Sequence, residues 1–294
     1  SLTYENQARL ILEGDGLRGG ADVFLYSPGY RYFLFVLHVV FGDFWNVAWI
    51  SILSLCVNFI FLNNEKSNPI SFLFVLFLIS DNVRNIFLYG MSESSSLMLF
   101  LISIYLINKN KSFAGVLLLG IGVLIRPETG LFAIIVLLFN NKKLQLRSYL
   151  SFGGLLILPL IHNLYYGNEF VVLTSGWNYG RNLDFNFAKN LNYLLINPFN
   201  EKILMTLGST IIYIGFSVLL LSVLNFLISI YKKQGFLSNQ FFFYGILNLL
   251  PFVIYDPELF YPRHIIIGLC FLSLNNIYNE KWSINLKNRL KELQ

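Results

Sequence analysis

Residues 122–132 read GVLIRPETGLF, and between Phe113 and Phe139 the only charges are Arg126 and Glu128. A charged dipeptide split by proline, set inside an apolar run, is expensive to bury. On insertion scales a charge at the centre of a bilayer costs about 2.5–3.5 kcal/mol. Proline lacks an amide hydrogen and suits the first turn of a helix, and Glu128 would favour a helix N-terminus. The stretch therefore reads as a turn between two short helices, 113–125 and 128–139. One continuous helix would invert everything downstream, so this turn decides the topology.

Working outward, the 294-residue chain is 55% hydrophobic and 13% charged, and its mean hydropathy is +0.60. Soluble domains carry about 25% charged residues. The fold class expected is all-α: a polytopic membrane protein with about nine transmembrane helices. The apolar runs are 44–62, 69–88, 91–107, 113–125, 128–139, 148–166, 206–231, 239–255 and 260–277. Segment 28–41, PGYRYFLFVLHVVF, is too short to cross and breaks the charge alternation if counted. It is expected to be an interfacial helix. The organisation is then one membrane domain: an outer loop over 1–43, a bundle over 44–277 with an outer loop at 167–205, and a tail at 278–294.

Charge sorts along this topology. One side collects Lys66, Lys109, Lys111, Lys142, Lys143, Arg147, Lys232, Lys233, Lys281, Lys287, Arg289 and Lys291. Cytoplasmic loops of membrane proteins are enriched in Lys and Arg, so that side, with the C-terminus, is expected to be cytoplasmic. The opposite side carries mostly arginine: Arg9, Arg18, Arg31, Arg84, Arg126, Arg181 and Arg263, besides Lys189 and Lys202. Of the 16 acids only Glu65, Glu280 and Glu292 fall on the lysine side. Arginine offers a planar fork for phosphate, and carboxylates serve as bases or metal ligands. An anion-handling, acid–base site on the outer face is the expectation. The net charge of +5 is a matter of topology and not a sign of nucleic-acid binding.

The outer charges cluster at four places. They are EGDGLRGGADVFLYSPGYRYF (13–33), SDNVRNIFLYGMSESS (80–95), Arg126-Pro127-Glu128, and YDPELFYPRH (255–264). Cys56 and Cys270 sit in apolar runs and read as filler. His38, His162 and His264 are scattered and read as structural. No nucleotide loop or Ser-His-Asp spacing occurs.

The order of TYENQARLILEGDG, SPGYRYFLFVLHVVFGD, MSESSSLMLFLISIYL, FAGVLLLGIGVLIRPETGLF, IHNLYYGNEF and LFYPRHIIIGL resembles the GT-C superfamily of membrane glycosyltransferases. Protein mannosyltransferases and aminoarabinose transferases belong to it. The likeness implies a cell-envelope enzyme of the cytoplasmic membrane. Its donor would be a polyprenyl-phosphate-linked sugar, and its acceptor a lipid, glycan or protein. A carboxylate base would act with inversion at the sugar. Membrane lipids are implied as further partners. Asp15, Asp22 and Glu93 are the candidate acids, although the family's base would precede Tyr4-Glu5-Asn6-Gln7-Ala8 and so lie upstream of Ser1. Arg31, Arg84, Arg126, Tyr261 and Arg263 are the candidate phosphate and substrate ligands. No cofactor is required by the likeness; a divalent metal is allowed, with Asp81 as its candidate ligand. Tyr26 and Ser27 stand where some relatives place a lysine. Two other readings are an O-antigen-type polymerase or ligase, which needs no acid-rich first outer loop, and a lipid-linked sugar transporter or flippase. A transporter would be expected to show an internal repeat, and none is visible.

Overall fold

The computed structural model describes residues 2–14, 28–44, 92–167, 170, 217–231, 240–254 and 267–272. Every regular element among them is helical. The helices are α1 (Leu2–Glu13), α2 (Pro28–Phe41), α3 (Ser92–Asn108), α4 (Ser112–Ile125), α5 (Gly130–Phe139), α6 (Leu146–Gly167), α7 (217–231), α8 (Gln240–Ile254) and α9 (267–272). The expected runs 44–62 and 69–88, and the loop 167–205 apart from Gly167 and Phe170, lie outside the described residues. Among the described residues no helix is both long and apolar enough to cross a membrane. The 17 residues of α3 and the 14 of α4 are short, and the 22-residue α6 carries Ser148, Ser151, His162 and Asn163.

The chain divides into two compact units, Ser1–Asn63 with Asn85–Arg181 and Asn64–Arg84 with Asn182–Gln294. In the first, α3 and α4 form a hairpin. Its turn is closed by Asn110, whose φ of 60° puts it in the left-handed region. Asparagine tolerates that conformation where a helix ends. Lys111 N–H returns to the Leu106 carbonyl at 2.9 Å, satisfying one of the last acceptors of α3. The two helices approach closely because Gly115 lacks a side chain: a Cβ there would stand 2.8 Å from the Ser103 carbonyl oxygen and 2.7 Å from Ile107.

At Arg126 the chain leaves α4 and makes one tight turn over Pro127–Thr129 before α5 begins. The expectation started the second helix at the proline. Instead both the amide and the hydroxyl of Thr129 donate to the Arg126 carbonyl, at 2.9 and 2.6 Å, and the α-helical pattern waits until Gly130. The Glu128 side chain lies outside the described residues.

Two contacts fix the direction of α5. Phe132 near its start meets Phe100 of α3, ring centroids 4.7 Å apart, and Lys143 just past its end donates to Asn108 Oδ1 at 2.9 Å. The helix α5 therefore runs back antiparallel to α4, and the chain reverses at Arg126. The next helix runs parallel to α4: Arg147 lies over the Phe113 ring at 5.7 Å, and Leu155 packs over Gly120 further along. Helix α1 lies on α2, with Ala8, Ile11, Leu34 and Leu37 buried.

This alternation gives the first unit two unlike ends. One gathers Glu93, Arg126 and the close of α6. The other gathers Lys109, Lys111, Lys142, Lys143 and Arg147, all exposed. At about 1.5 Å per helical residue the ends stand roughly 20–25 Å apart.

In the second unit, Phe226 of α7 stacks on Phe242 of α8, centroids 4.3 Å apart and planes 7° apart. Tyr244 meets Phe271 of α9 edge-on, and the Ser222 hydroxyl donates to the Leu272 carbonyl at 2.9 Å. Cys270 is a buried free thiol within this apolar packing.

The close approach of α3 and α4 predicts that Gly115→Ala lowers stability by about 1–3 kcal/mol, since the backbone carbonyl of Ser103 has to move. Gly153→Ala, whose Cβ meets nothing within 4 Å, should be neutral or slightly stabilising through helix propensity. Thermal unfolding of the two variants beside the parent protein checks this.

Candidate functional site

Glu93 sits in the first turn of α3 and Arg126 caps the end of α4. The hairpin brings them together: Arg126 Nη1 lies 2.7 Å from Glu93 Oε1, with the side chains 4% and 2% exposed. Each charge also suits its helix end, a carboxylate at the N-terminus of α3 and a guanidinium at the C-terminus of α4. The Ser96 hydroxyl and the Arg126 amide both donate to the Gly122 carbonyl, at 3.3 and 3.0 Å, so the end of α4 is tied to α3 beside the ion pair.

Helix α2 closes over this point. Its second residue, Gly29, sits so close to α4 that a Cβ would collide with the Leu124 carbonyl. That approach carries Tyr30 and Arg31 inward, and both side chains are fully buried. Burial, with the Glu93 charge added, raises the Tyr30 pKa far above that of an ordinary phenol. Tyr30 is thus a neutral hydroxyl at physiological pH. Burial lowers the Arg31 pKa to about 10, a fall partly opposed by Tyr32 and Tyr4. Arg31 therefore remains a cation at neutral pH. Tyr32 is pushed up to about 12 by burial, against the pull of Arg31.

The close of α6 completes the cluster. His162 meets the edge of Tyr32 at 5.7 Å and Tyr166 at 5.0 Å. Its Nδ1 lies 3.2 Å from Asn163 Oδ1. An amide oxygen only accepts, so in this arrangement Nδ1 carries the proton. On the α1 side, Glu5 Oε1 accepts from His38 Nε2 at 2.8 Å and from Arg9 Nε at 3.1 Å. Tyr4 meets Tyr30 edge-on at 5.1 Å. Both histidines are thus engaged in buried contacts of the packed helices.

Of the residues singled out from the sequence, the structure pairs Glu93 with Arg126 and buries Arg31 in α2, the helix packed on the end of α4. Asp15, Asp22, Asp81, Arg84, Tyr261 and Arg263 lie outside the described residues. Among the described residues no group of three or more histidine, cysteine or acidic side chains is placed to hold a metal ion. The pairing of Glu93 with Arg126 and the roles of Glu5, Tyr30 and Tyr32 were not anticipated. One signal for the ion pair was available: the two residues are equidistant in sequence from the Lys109–Asn110 turn.

Chemically, the cluster can hold and orient an anion or a hydroxyl. It offers the Arg31 and Arg126 guanidiniums, the phenols of Tyr30 and Tyr32 and the Glu93 carboxylate in a largely water-excluded setting. No protein-family model, curated protein or solved structure matches the chain.

Removing one member of a buried ion pair strands the other. Arg126→Met and Glu93→Met should each cost about 3–5 kcal/mol, whereas the double variant should recover most of the loss. A double-mutant cycle read by chemical unfolding gives the coupling; additive losses would mean that the pair is not a unit.

Proposed function

We propose that the chain is a polytopic protein of the cytoplasmic membrane that transfers a sugar from a polyprenyl-phosphate donor to an acceptor on the outer face. The observation that carries the membrane part is the polarity of the first unit. Buried acid, arginine and tyrosine stand at one end, and five exposed cations stand at the other, Lys109, Lys111, Lys142, Lys143 and Arg147. Between them α5 exposes Leu131, Ile134 and Leu138, and α6 exposes Leu150, Ile157, Ile161 and Leu164. Apolar stripes between a cationic end and a site end suit a bilayer, where cations mark the cytoplasmic side. In water such patches mark interaction surfaces or an aggregation hazard.

The transferase part rests on the likeness to GT-C enzymes and on the residues at the site end. In this reading the acceptor hydroxyl attacks the anomeric carbon, the bond from sugar to phosphate oxygen breaks, and lipid phosphate leaves. A departing phosphate needs preorganised cations. Arg126, oriented by Glu93, and Arg31, held in α2, are the two buried arginines among the described residues. Glu93 is engaged by Arg126, so the proton of the hydroxyl falls to another carboxylate, for which Asp15 and Asp22 are the candidates in the first outer loop.

Full-length protein in proteoliposomes, given a radiolabelled polyprenyl-phosphate sugar and envelope lipids, should form labelled product only when donor is present. Failure to release lipid phosphate or to form product overturns the transferase reading. Arg126→Lys keeps a charge beside Glu93 but loses the planar fork. It should weaken donor binding roughly tenfold or more, the scale of a charge-assisted hydrogen bond. Unchanged donor affinity would remove Arg126 from phosphate binding.

A further inference from the structure

The cationic end of the first unit is made by two turns far apart in sequence. One, between α3 and α4, carries Lys109 and Lys111. The other, between α5 and α6, carries Lys142 and Lys143, and Arg147 follows in the first turn of α6. The hydrogen bond from Lys143 Nζ to Asn108 Oδ1, 2.9 Å, ties the two turns together, so the five cations share one surface. All five are exposed, and the two turns contain no acidic residue. The stems are held in place: Lys109 lies over the Tyr105 ring at 5.8 Å and Arg147 over the Phe113 ring at 5.7 Å.

Large apolar side chains begin beside these charges. Phe113 is 43% exposed, Leu138 60%, Leu146 74% and Leu150 66%. A compact cationic rim directly bordering an exposed apolar flank matches the two halves of an anionic phospholipid, headgroup against lysine and acyl chain against leucine. A nucleic acid would use the charges and leave the apolar flank in water. A neutral lipid would use the flank and leave the charges uncompensated.

We infer that the surface formed by Lys109, Lys111, Lys142, Lys143 and Arg147, with the apolar side chains beside it, binds anionic phospholipid headgroups. The inference rests on the membrane part of the proposed function and is independent of sugar transfer. A juxtamembrane cation contributes on the order of a fivefold gain in attraction to an anionic surface, falling with salt as counterions screen it.

The test uses the full-length protein in neutral detergent, with lipid retention read by native mass spectrometry. Phosphatidylglycerol should be retained over phosphatidylcholine, and the preference should collapse at high salt. Lys142→Gln with Lys143→Gln should lower phosphatidylglycerol retention at least tenfold, since glutamine at 143 can keep the bond to Asn108. A charge-matched control, Lys189→Gln with Lys202→Gln, should leave it unchanged. Equal retention of the two lipids, or equal loss in both double variants, overturns the inference. The salt dependence is read on the unaltered protein and needs no variant to fold. Retention is measured without sugar donor, so loss of transfer with lipid preference intact would sink only the transferase reading.

Discussion

A carboxylate and a guanidinium placed 2.7 Å apart, both nearly sealed from water, set the terms for the first unit. Taking each ion out of water costs several kcal/mol, and the pair persists only where geometry and neighbours return that cost. Three features of the fold do so. Glu93 stands where the amide dipoles of α3 favour a negative charge, Arg126 stands where those of α4 favour a positive one, and the glycine-lined hairpin holds both at contact distance. The ion pair and the hairpin therefore depend on each other. The close packing that Gly115 permits puts the charges in register, and the charges penalise any slip of one helix along the other.

From that register the rest of the unit follows. With Arg126 locked at the end of α4, Pro127 and Thr129 turn the chain and send α5 back toward Asn108. The second turn then meets the first, and α6 returns toward the site end. The fold is thus polarised by alternation alone. Each odd turn contributes to the cationic end, and each even one to the end where Tyr30, Arg31, Tyr32 and His162 collect. The α2 helix is drawn in because Gly29 can lie against the Leu124 carbonyl, and Arg31, two residues on, is buried with it.

The electrostatic character of the site end comes from this crowding. Burial keeps Tyr30 and Tyr32 protonated, while Arg31 retains its charge with a pKa near 10. The result is a region of buried guanidiniums and neutral hydroxyls in which the Glu93 carboxylate is already engaged by Arg126. The opposite end is built on another principle, with exposed lysines bordering apolar surface. A membrane reading uses both ends, one for chemistry on a phosphate-linked substrate and one for the lipid headgroups beneath it.

By itself the sequence determined the helical class of the described residues and the approximate bounds of several of their helices. Segment 28–41 is helical over the residues expected, and the runs 91–107, 113–125 and 148–166 correspond to α3, α4 and α6 within about two residues, the usual scatter of helix ends. Such features are local: hydropathy runs and a proline without an amide hydrogen. The gathering of Lys109, Lys111, Lys142, Lys143 and Arg147 on one side was equally legible, because alternation along a chain is a one-dimensional property. Only the tertiary structure decided that Glu93 meets Arg126, that Glu5 joins Arg9 to His38, and that Arg31 turns inward. Those contacts depend on how each helix is rotated and how deeply it packs. That is set by glycine notches and bulky neighbours on other helices, which no single stretch of sequence encodes.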